Sequence, residues 1–234
     1  MSVLSIVIPV YNELGTIREI LQRVEAAQLP AGVSKEVVII DDASTDGTGE
    51  VLKREFESRF RVLYHAKNKG KGAAIRAGFA AATGDYIVIQ DADMEYDPNE
   101  YSDLLKPLMD DKADVVYGSR FMSGRPHAVF RFWHYMGNKF LTAFSNAFTN
   151  LYLTDMETCY KMFTRSVLQD IAPRLVSNRF AIEPEITARV ARAGYRVFEV
   201  GISYGGRSYK EGKKIGWKDG FSALWAIVKF NIFR

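Results

Sequence analysis

The chain reads as an α/β domain: a mostly parallel sheet flanked by helices. Three observations carry this reading. Short, nearly continuous apolar runs alternate with amphipathic segments through the first half, the pattern of parallel strands covered on both faces. Four of those runs end in polar or acidic clusters, Tyr11-Asn12-Glu13, Asp41-Asp42, Asp91-Ala92-Asp93 and Gly118-Ser119-Arg120; ligands of open parallel sheets bind beyond the carboxyl ends of the strands. The 234 residues, 47% hydrophobic and 25% charged, suit one domain with a sizeable core.

Taken in order, Val3–Val10 is strand-like, and Glu13–Ala27 has helical spacing through Ile17, Ile20, Leu21 and Val24. Glu36–Ile40 is a second strand. A helix opens near Asp46-Gly47-Thr48 and runs toward Phe56, with Ser44 or Asp46 as its cap. Arg61–Tyr64 is a strand, Gly72–Ala82 an alanine-rich helix and Tyr86–Gln90 a strand. Pro98 opens a helix reaching about Met109, and Asp114–Tyr117 is a further strand. The second half differs. Residues 129–152 place Trp133, Phe140, Phe144, Phe148 and Leu151 on one side, with Asn138, Thr142, Ser145, Asn146 and Thr149 opposite. Residues 217–233 repeat the theme with Phe221, Leu224, Trp225, Val228 and Ile232. These are either core helices or amphipathic helices lying at an interface.

Composition excludes several classes. A net charge of +3, without an aromatic-basic RNA-binding motif or zinc-finger spacing, gives no case for nucleic acid. The single cysteine, Cys159, excludes an intramolecular disulfide and suits a reducing cytoplasm. Three scattered histidines argue against a histidine metal site. The N-terminus lacks the features of a signal peptide, and no stretch offers the roughly 20 apolar residues that span a bilayer. The expected location is cytoplasmic, in solution or on a surface.

Asp91 and Asp93 follow a buried strand at i and i+2, so both carboxylates point to one side. Two converging carboxylates repel unless a cation lies between them. A hard divalent ion, Mg²⁺ or Mn²⁺, accepts such oxygens and keeps positions open for phosphate; the plain alternative is a polar turn. Asn68-Lys69-Gly70-Lys71-Gly72 precedes a helix, an arrangement suited either to an anion or to an exposed loop.

Together, Ile8-Pro9-Val10-Tyr11-Asn12-Glu13, residues 41–48 (Asp-Asp-Ala-Ser-Thr-Asp-Gly-Thr), Asn68–Gly72, Asp91-Ala92-Asp93 and Gly118-Ser119-Arg120-Phe121 resemble an inverting family-2 glycosyltransferase with a GT-A fold. Residues 154–161 (Thr-Asp-Met-Glu-Thr-Cys-Tyr-Lys) and 207–214 (Arg-Ser-Tyr-Lys-Glu-Gly-Lys-Lys) narrow the likeness to the polyprenyl-phosphate, or dolichyl-phosphate, mannose and glucose synthases. The resemblance spans the chain and implies one catalytic domain, with residues 1–120 binding a nucleotide sugar and 121–234 the acceptor. The implied donor is GDP-mannose or UDP-glucose, and the implied acceptor a lipid phosphate at the cytoplasmic membrane face.

The resemblance carries residue roles with it. Pro9, Tyr11 and Glu13 map onto residues holding the base, Asp42 lies near the base or ribose, and Lys71, Asp91, Ala92, Asp93, Arg207 and Lys213 contact the donor. Asp91 and Asp93 hold the metal, and Glu95 either joins them or faces water. Arg120 and Arg131 receive the acceptor phosphate, which makes Asp93, Arg120 and Asp155 the catalytic candidates. Asp155 serves as base if the acceptor is a hydroxyl, and orients Lys161 or an arginine if it is a phosphate. Residues 210–214 form a solvated basic loop, contact anionic lipid or close over the diphosphate. Glu183 and Glu185 begin a helix and are read as structural. Asp41 supports its loop.

Competing readings are a glycosyltransferase acting on a sugar or polysaccharide hydroxyl and a non-catalytic nucleotide-sugar-binding protein. A sugar nucleotidyltransferase would carry a glycine-rich basic loop in place of Pro9–Glu13. Many members of the resembled group continue into transmembrane helices. The end at Arg234 fits a peripheral enzyme, one needing a membrane-anchor partner, or a piece of a longer chain.

Overall fold

The computed structural model describes residues 1–122, 124–126, 128–129, 131–206 and 217–233, with backbone alone for 217–219. Among them, strands β1 (Ser2–Val10), β2 (Val33–Asp41), β3 (Arg61–Tyr64), β4 (Tyr86–Ile89), β5 (Val115–Ser119), β6 (Lys161–Thr164) and β7 (Val197–Gly201) form one sheet in the order β3-β2-β1-β4-β6-β5-β7. β6 runs antiparallel to both neighbours, and the other pairings are parallel. The expected mostly parallel sheet is present.

Helices α1 (Ile17–Ala26), α2 (Thr48–Glu55), α3 (Lys71–Ala81), α4 (Tyr101–Met109), α5 (Phe132–Thr149), α6 (Arg165–Ile171), α7 (Ile182–Ala193) and α8 (Trp217–Ile232) flank it. Ile6, Val7, Ile8, Val38, Ile39, Ile40, Ile87, Val88 and Ile89 are fully buried between these layers, which is why β1, β2 and β4 read as continuous apolar runs. α3 crosses β1 and β2 so closely that a β-carbon at Gly78 would overlap Val7 and Ile40. α2 starts differently from expectation. Gly47 is its N-cap, at φ 96°, while Asp46 Oδ1 accepts the Thr48 amide at 3.0 Å.

β6, α6 and β7 are absent from the elements read in the sequence. α5 decides between the two faces the sequence left open: its buried residues are Thr142 and Ser145, whereas Phe132, Trp133 and Phe140 are exposed. The polar side faces inward because it has partners there. Thr142 Oγ1 accepts the Met156 amide at 3.1 Å, and the Asn146 side chain bonds both the amide and the carbonyl of Leu153. α8 packs against α5 and α7, burying Ala223, Ala226, Ile227 and Phe230 and leaving Phe221, Trp225 and Ile232 outside.

Candidate active site

Three loops at the carboxyl edge contain non-glycine residues in the left-handed region: Asn12 (φ 53°) after β1, Ala43 (φ 60°) after β2 and Met94 (φ 66°) after β4. Such backbone is sparsely populated and persists where surrounding bonds dictate it. Here the bonds are explicit. The Asn12 amide donates to Ser44 Oγ at 2.9 Å, the Thr45 amide to Asn12 Oδ1 at 2.7 Å, and the Glu13 amide to Thr48 Oγ1 at 3.0 Å. The β1 and β2 loops are thus one stitched unit, bringing Pro9, Tyr11 and Glu13, all partly exposed, to the mouth of the sheet.

Asp41 and Asp42 are 4% and 2% exposed. Asp41 Oδ1 accepts from the amide and hydroxyl of Ser44, and burial raises its pKa. The Asp42 carboxylate takes the amides of Lys69 (2.9 Å) and Gly70 (2.6 Å) and bonds His65 Nδ1 at 2.6 Å. Asp42 was expected beside the base or ribose. Through those bonds it organises the loop that delivers Lys71.

Lys71 opens α3 and reaches across to β4's end, 2.8 Å from Asp91 Oδ1 and 3.7 Å from Glu183 Oε1. Burial opposes the charge on Lys71, but the surrounding negative groups, Asp91 foremost with Glu183 adding to it, together raise the ammonium's pKa. On the far side, the Lys161 ammonium bonds Glu183 Oε2, the Thr158 carbonyl and, at 3.0 Å, the Met156 carbonyl. A row of alternating charge therefore runs Asp91, Lys71, Glu183, Lys161. Glu183, read from sequence as a helix-start acid, is 3% exposed and central to this row. The available signal was its place in Phe180-Ala181-Ile182-Glu183-Pro184-Glu185, an acid in a segment apolar on both sides. Glu185 is structural: it accepts the amides of Val176 and Ser177.

Arg120 and Asp155 form a second, buried pair. Arg120 Nε and Nη2 each donate to an Asp155 oxygen at 2.7 Å, and the Arg120 amide adds a bond at 3.0 Å. The guanidinium lies over the Tyr204 ring, 5.2 Å from its centroid. Glu199 of β7, unnoticed in the sequence, holds the amides of Thr154 (2.9 Å) and Asp155 (3.2 Å). Both Asp155 oxygens are engaged by Arg120, and the residue has no exposed surface. Arg131 lies at the exposed start of α5. Arg207 and Lys213 lie outside the described residues.

Asp91 and Asp93 are partly exposed and Ala92 between them is buried, but the extended backbone expected there is absent: β4 ends at Ile89, residues 92–93 form a turn, and Asp93 Oδ1 accepts the Glu95 amide at 3.2 Å. Glu95 Oε2 accepts the Tyr204 hydroxyl at 2.6 Å. No group of three His, Cys, Asp or Glu among the described residues is arranged to hold a metal ion. The two aspartates remain a suitable hard-oxygen pair, and the oxygens of a diphosphate would complete a coordination shell around a small divalent ion.

Glu157 lies between the two charge systems. Its Oε1 is buried without a hydrogen-bond partner, and burial, aided by Glu183, pushes its pKa from 4.5 up to about 7. The folded protein therefore holds a proton that the unfolded chain releases above pH 4.5. This stabilising contribution is complete below that value and lost as pH rises through about 7. Glu157→Gln is expected to match wild type near pH 4 and exceed it by up to about 3 kcal/mol at pH 8, measured by urea unfolding at both pH values.

A family model described as glycosyl transferase family 2 matches residues 5–172. Among curated relatives, the undecaprenyl-phosphate 4-deoxy-4-formamido-L-arabinose transferase of Pseudomonas syringae pv. syringae (strain B728a) is 39% identical over 132 residues, 55% of this chain and 38% of that protein. The dolichol-phosphate mannosyltransferase of Pyrococcus furiosus is 34% identical over 122 residues, 51% of this chain and 34% of the relative. The matched region thus spans less than half the length of these relatives. Glucosyl-3-phosphoglycerate synthase from Mycobacterium tuberculosis, solved with Mn²⁺, uridine diphosphate and glucosyl-3-phosphoglycerate, superposes with a TM-score of 0.72 at 18% identity, covering 98% of this chain and 80% of that one. The same enzyme solved with Mg²⁺ and uridine diphosphate gives 0.71. At that identity the likeness establishes the shared fold.

Proposed function

The chain belongs to glycosyl transferase family 2, and from that premise we propose that it transfers a hexose, mannose or glucose, from GDP-mannose or UDP-glucose to a polyprenyl or dolichyl phosphate at the cytoplasmic face of a membrane. The observation that carries the acceptor is the engagement of both Asp155 oxygens by Arg120. A hydroxyl acceptor must lose a proton during attack and needs a base. A phosphate monoester, with a second pKa near ~6, is already anionic at neutral pH and needs only orientation. The relatives named for undecaprenyl phosphate and dolichol phosphate support the same acceptor class.

In this reading a phosphate oxygen attacks the anomeric carbon while the bond from that carbon to the diphosphate breaks, inverting the centre and releasing the nucleoside diphosphate. Asp155 spends two N–H groups of Arg120, and the guanidinium's remaining N–H groups orient the acceptor phosphate, with Arg131 guiding its approach. Lys71 offers positive charge to the departing diphosphate, and Arg207 and Lys213 are assigned there from the sequence. A divalent ion, Mg²⁺ or Mn²⁺, held by Asp91 and Asp93 would supply further stabilisation of that charge.

The outward aromatic faces of α5 and α8 support a membrane-surface location. Trp133, Phe140 and Trp225 are 81%, 58% and 61% exposed, with Lys139 and Lys229 on the same helices. No helix among the described residues is long and apolar enough to cross a membrane. The triple change Trp133→Ser, Phe140→Ser, Trp225→Ser is expected to weaken binding to anionic vesicles by about 100-fold, taking about 1 kcal/mol for each partly inserted ring. Vesicle co-sedimentation measures it, and undiminished binding would remove these helices from the interface. An anchoring membrane protein as partner remains part of the proposal.

A second reading takes a hydroxyl acceptor. Glu157 favours it, since a carboxyl with a pKa of about 7 has the basicity of a general base. Labelled GDP-mannose and UDP-glucose, each incubated with polyprenyl phosphate in detergent with and without Mn²⁺ or Mg²⁺, test the proposal. Metal-dependent label in the lipid phase supports it. Donor binding without lipid labelling removes it for those sugars.

A further inference from the structure

Lys71 serves two carboxylates unequally. Its ammonium hydrogen-bonds Asp91 Oδ2 at 2.9 Å, lies 2.8 Å from Asp91 Oδ1, and stands 3.7 Å from Glu183 Oε1, beyond hydrogen-bonding distance. That Glu183 oxygen is buried and has no hydrogen-bond partner, a costly condition for a carboxylate oxygen. Glu183 is not free to swing toward a donor, because its other oxygen is held by the buried Lys161. The backbone at Lys71 is fixed as well. Gly70 and Gly72 press against the carbonyls of Asn178 and Ser177 so closely that neither has room for a β-carbon. The long lysine side chain is the adjustable part, and a small displacement of its ammonium would exchange one carboxylate for the other.

We propose that Lys71 is a two-position cation: it neutralises Asp91 in one position and satisfies Glu183 Oε1 in the other, so that Glu183 acts as the positioning residue that draws the lysine off Asp91 when a divalent ion binds there. The inference rests on the reading of Asp91 and Asp93 as the metal-holding pair. An ammonium and a metal ion cannot both occupy the Asp91 oxygens, and their mutual repulsion disfavours the ion while the lysine stays. Glu183 lowers that penalty by receiving the lysine. It also keeps the positive charge beside the diphosphate, where transfer needs it.

The test is Mn²⁺ binding to the full chain, followed by electron paramagnetic resonance of the free ion, with and without UDP or GDP. Lys71→Met is expected to bind Mn²⁺ alone about tenfold more tightly than wild type, because the competing charge is gone. Glu183→Gln is expected to bind about tenfold more weakly, and to have no effect in the Lys71→Met background. An equal or weaker affinity in Lys71→Met overturns the proposal. So does a Glu183→Gln loss of the same size in both backgrounds, which would make Glu183 a structural residue only. If Glu183→Gln fails to fold, Lys71→Met alone decides in either direction. Asp91→Asn tests the premise separately: wild-type Mn²⁺ affinity in that variant would refute the metal reading itself, whatever Lys71→Met does.

Discussion

Asp91→Asn is expected to lower sugar transfer by about 10²–10³-fold, the usual consequence of removing one preorganised group that stabilises developing charge. The substitution preserves shape and removes only the charge. Two losses coincide: Lys71 loses the carboxylate it bonds at 2.8 Å, and the aspartate pair loses half its negative charge, weakening its hold on a divalent ion. The effect should fall on kcat, because charge on the departing diphosphate grows toward the transition state. Initial rates at saturating donor, acceptor and Mn²⁺ measure it, and circular dichroism checks the fold. A rate near that of wild type would remove Asp91 from the reacting centre.

Asp155→Asn is expected to have the largest effect on stability. It would leave the Arg120 guanidinium, 6% exposed, without its counter-charge. Breaking one side of a buried ion pair costs about 3–5 kcal/mol, which lowers the melting temperature by about 10 °C in a chain of this size. The paired replacement Arg120→Met, Asp155→Leu leaves no orphaned charge and is expected to regain most of that stability, while remaining inactive because the acceptor phosphate has lost its arginine. Urea unfolding and the transfer assay on the same two proteins separate the structural from the functional contribution. If the paired variant transfers sugar normally, Arg120 does not orient the acceptor.

The half of the fold that was legible in the sequence is the half whose burial is symmetric. β1, β2 and β4 are covered on both faces, so their residues form unbroken apolar runs, and α1 shows its buried stripe Ile17, Ile20, Leu21 and Val24 directly. β6 and β7 are four and five residues long, and both include charged side chains, Lys161 and Glu199. Their place in the sheet depends on distant partners, β6 being inserted antiparallel between β4 and β5. Local periodicity has no access to such pairing.

α5 was legible in part. Its two faces were visible, but the pattern does not say which one turns inward, and the hydrogen bonds from Thr142 and Asn146 to residues 153 and 156 decided it. At the site, strand-end residues could be located because topology alone sends them to the carboxyl edge. Glu183, Glu157 and Glu199 enter from α7, the 154–161 segment and β7, and only folding brings them beside Arg120 and Lys71. Asp42 and Glu95 could be placed at the carboxyl edge from the sequence, but their bonds to the Lys69 and Gly70 amides and to the Tyr204 hydroxyl could not.

The most direct test of the central reading compares acceptors with one donor. Purified protein, Mn²⁺ and whichever labelled sugar nucleotide proves active would be offered polyprenyl phosphate, the corresponding polyprenol, and a simple sugar. The account predicts label on polyprenyl phosphate alone, with little dependence on Glu157→Gln, because an ionised phosphate needs no base. Transfer to the polyprenol or the sugar that is lost in Glu157→Gln would contradict it, and would make this chain a hydroxyl-directed transferase with Glu157 as its base.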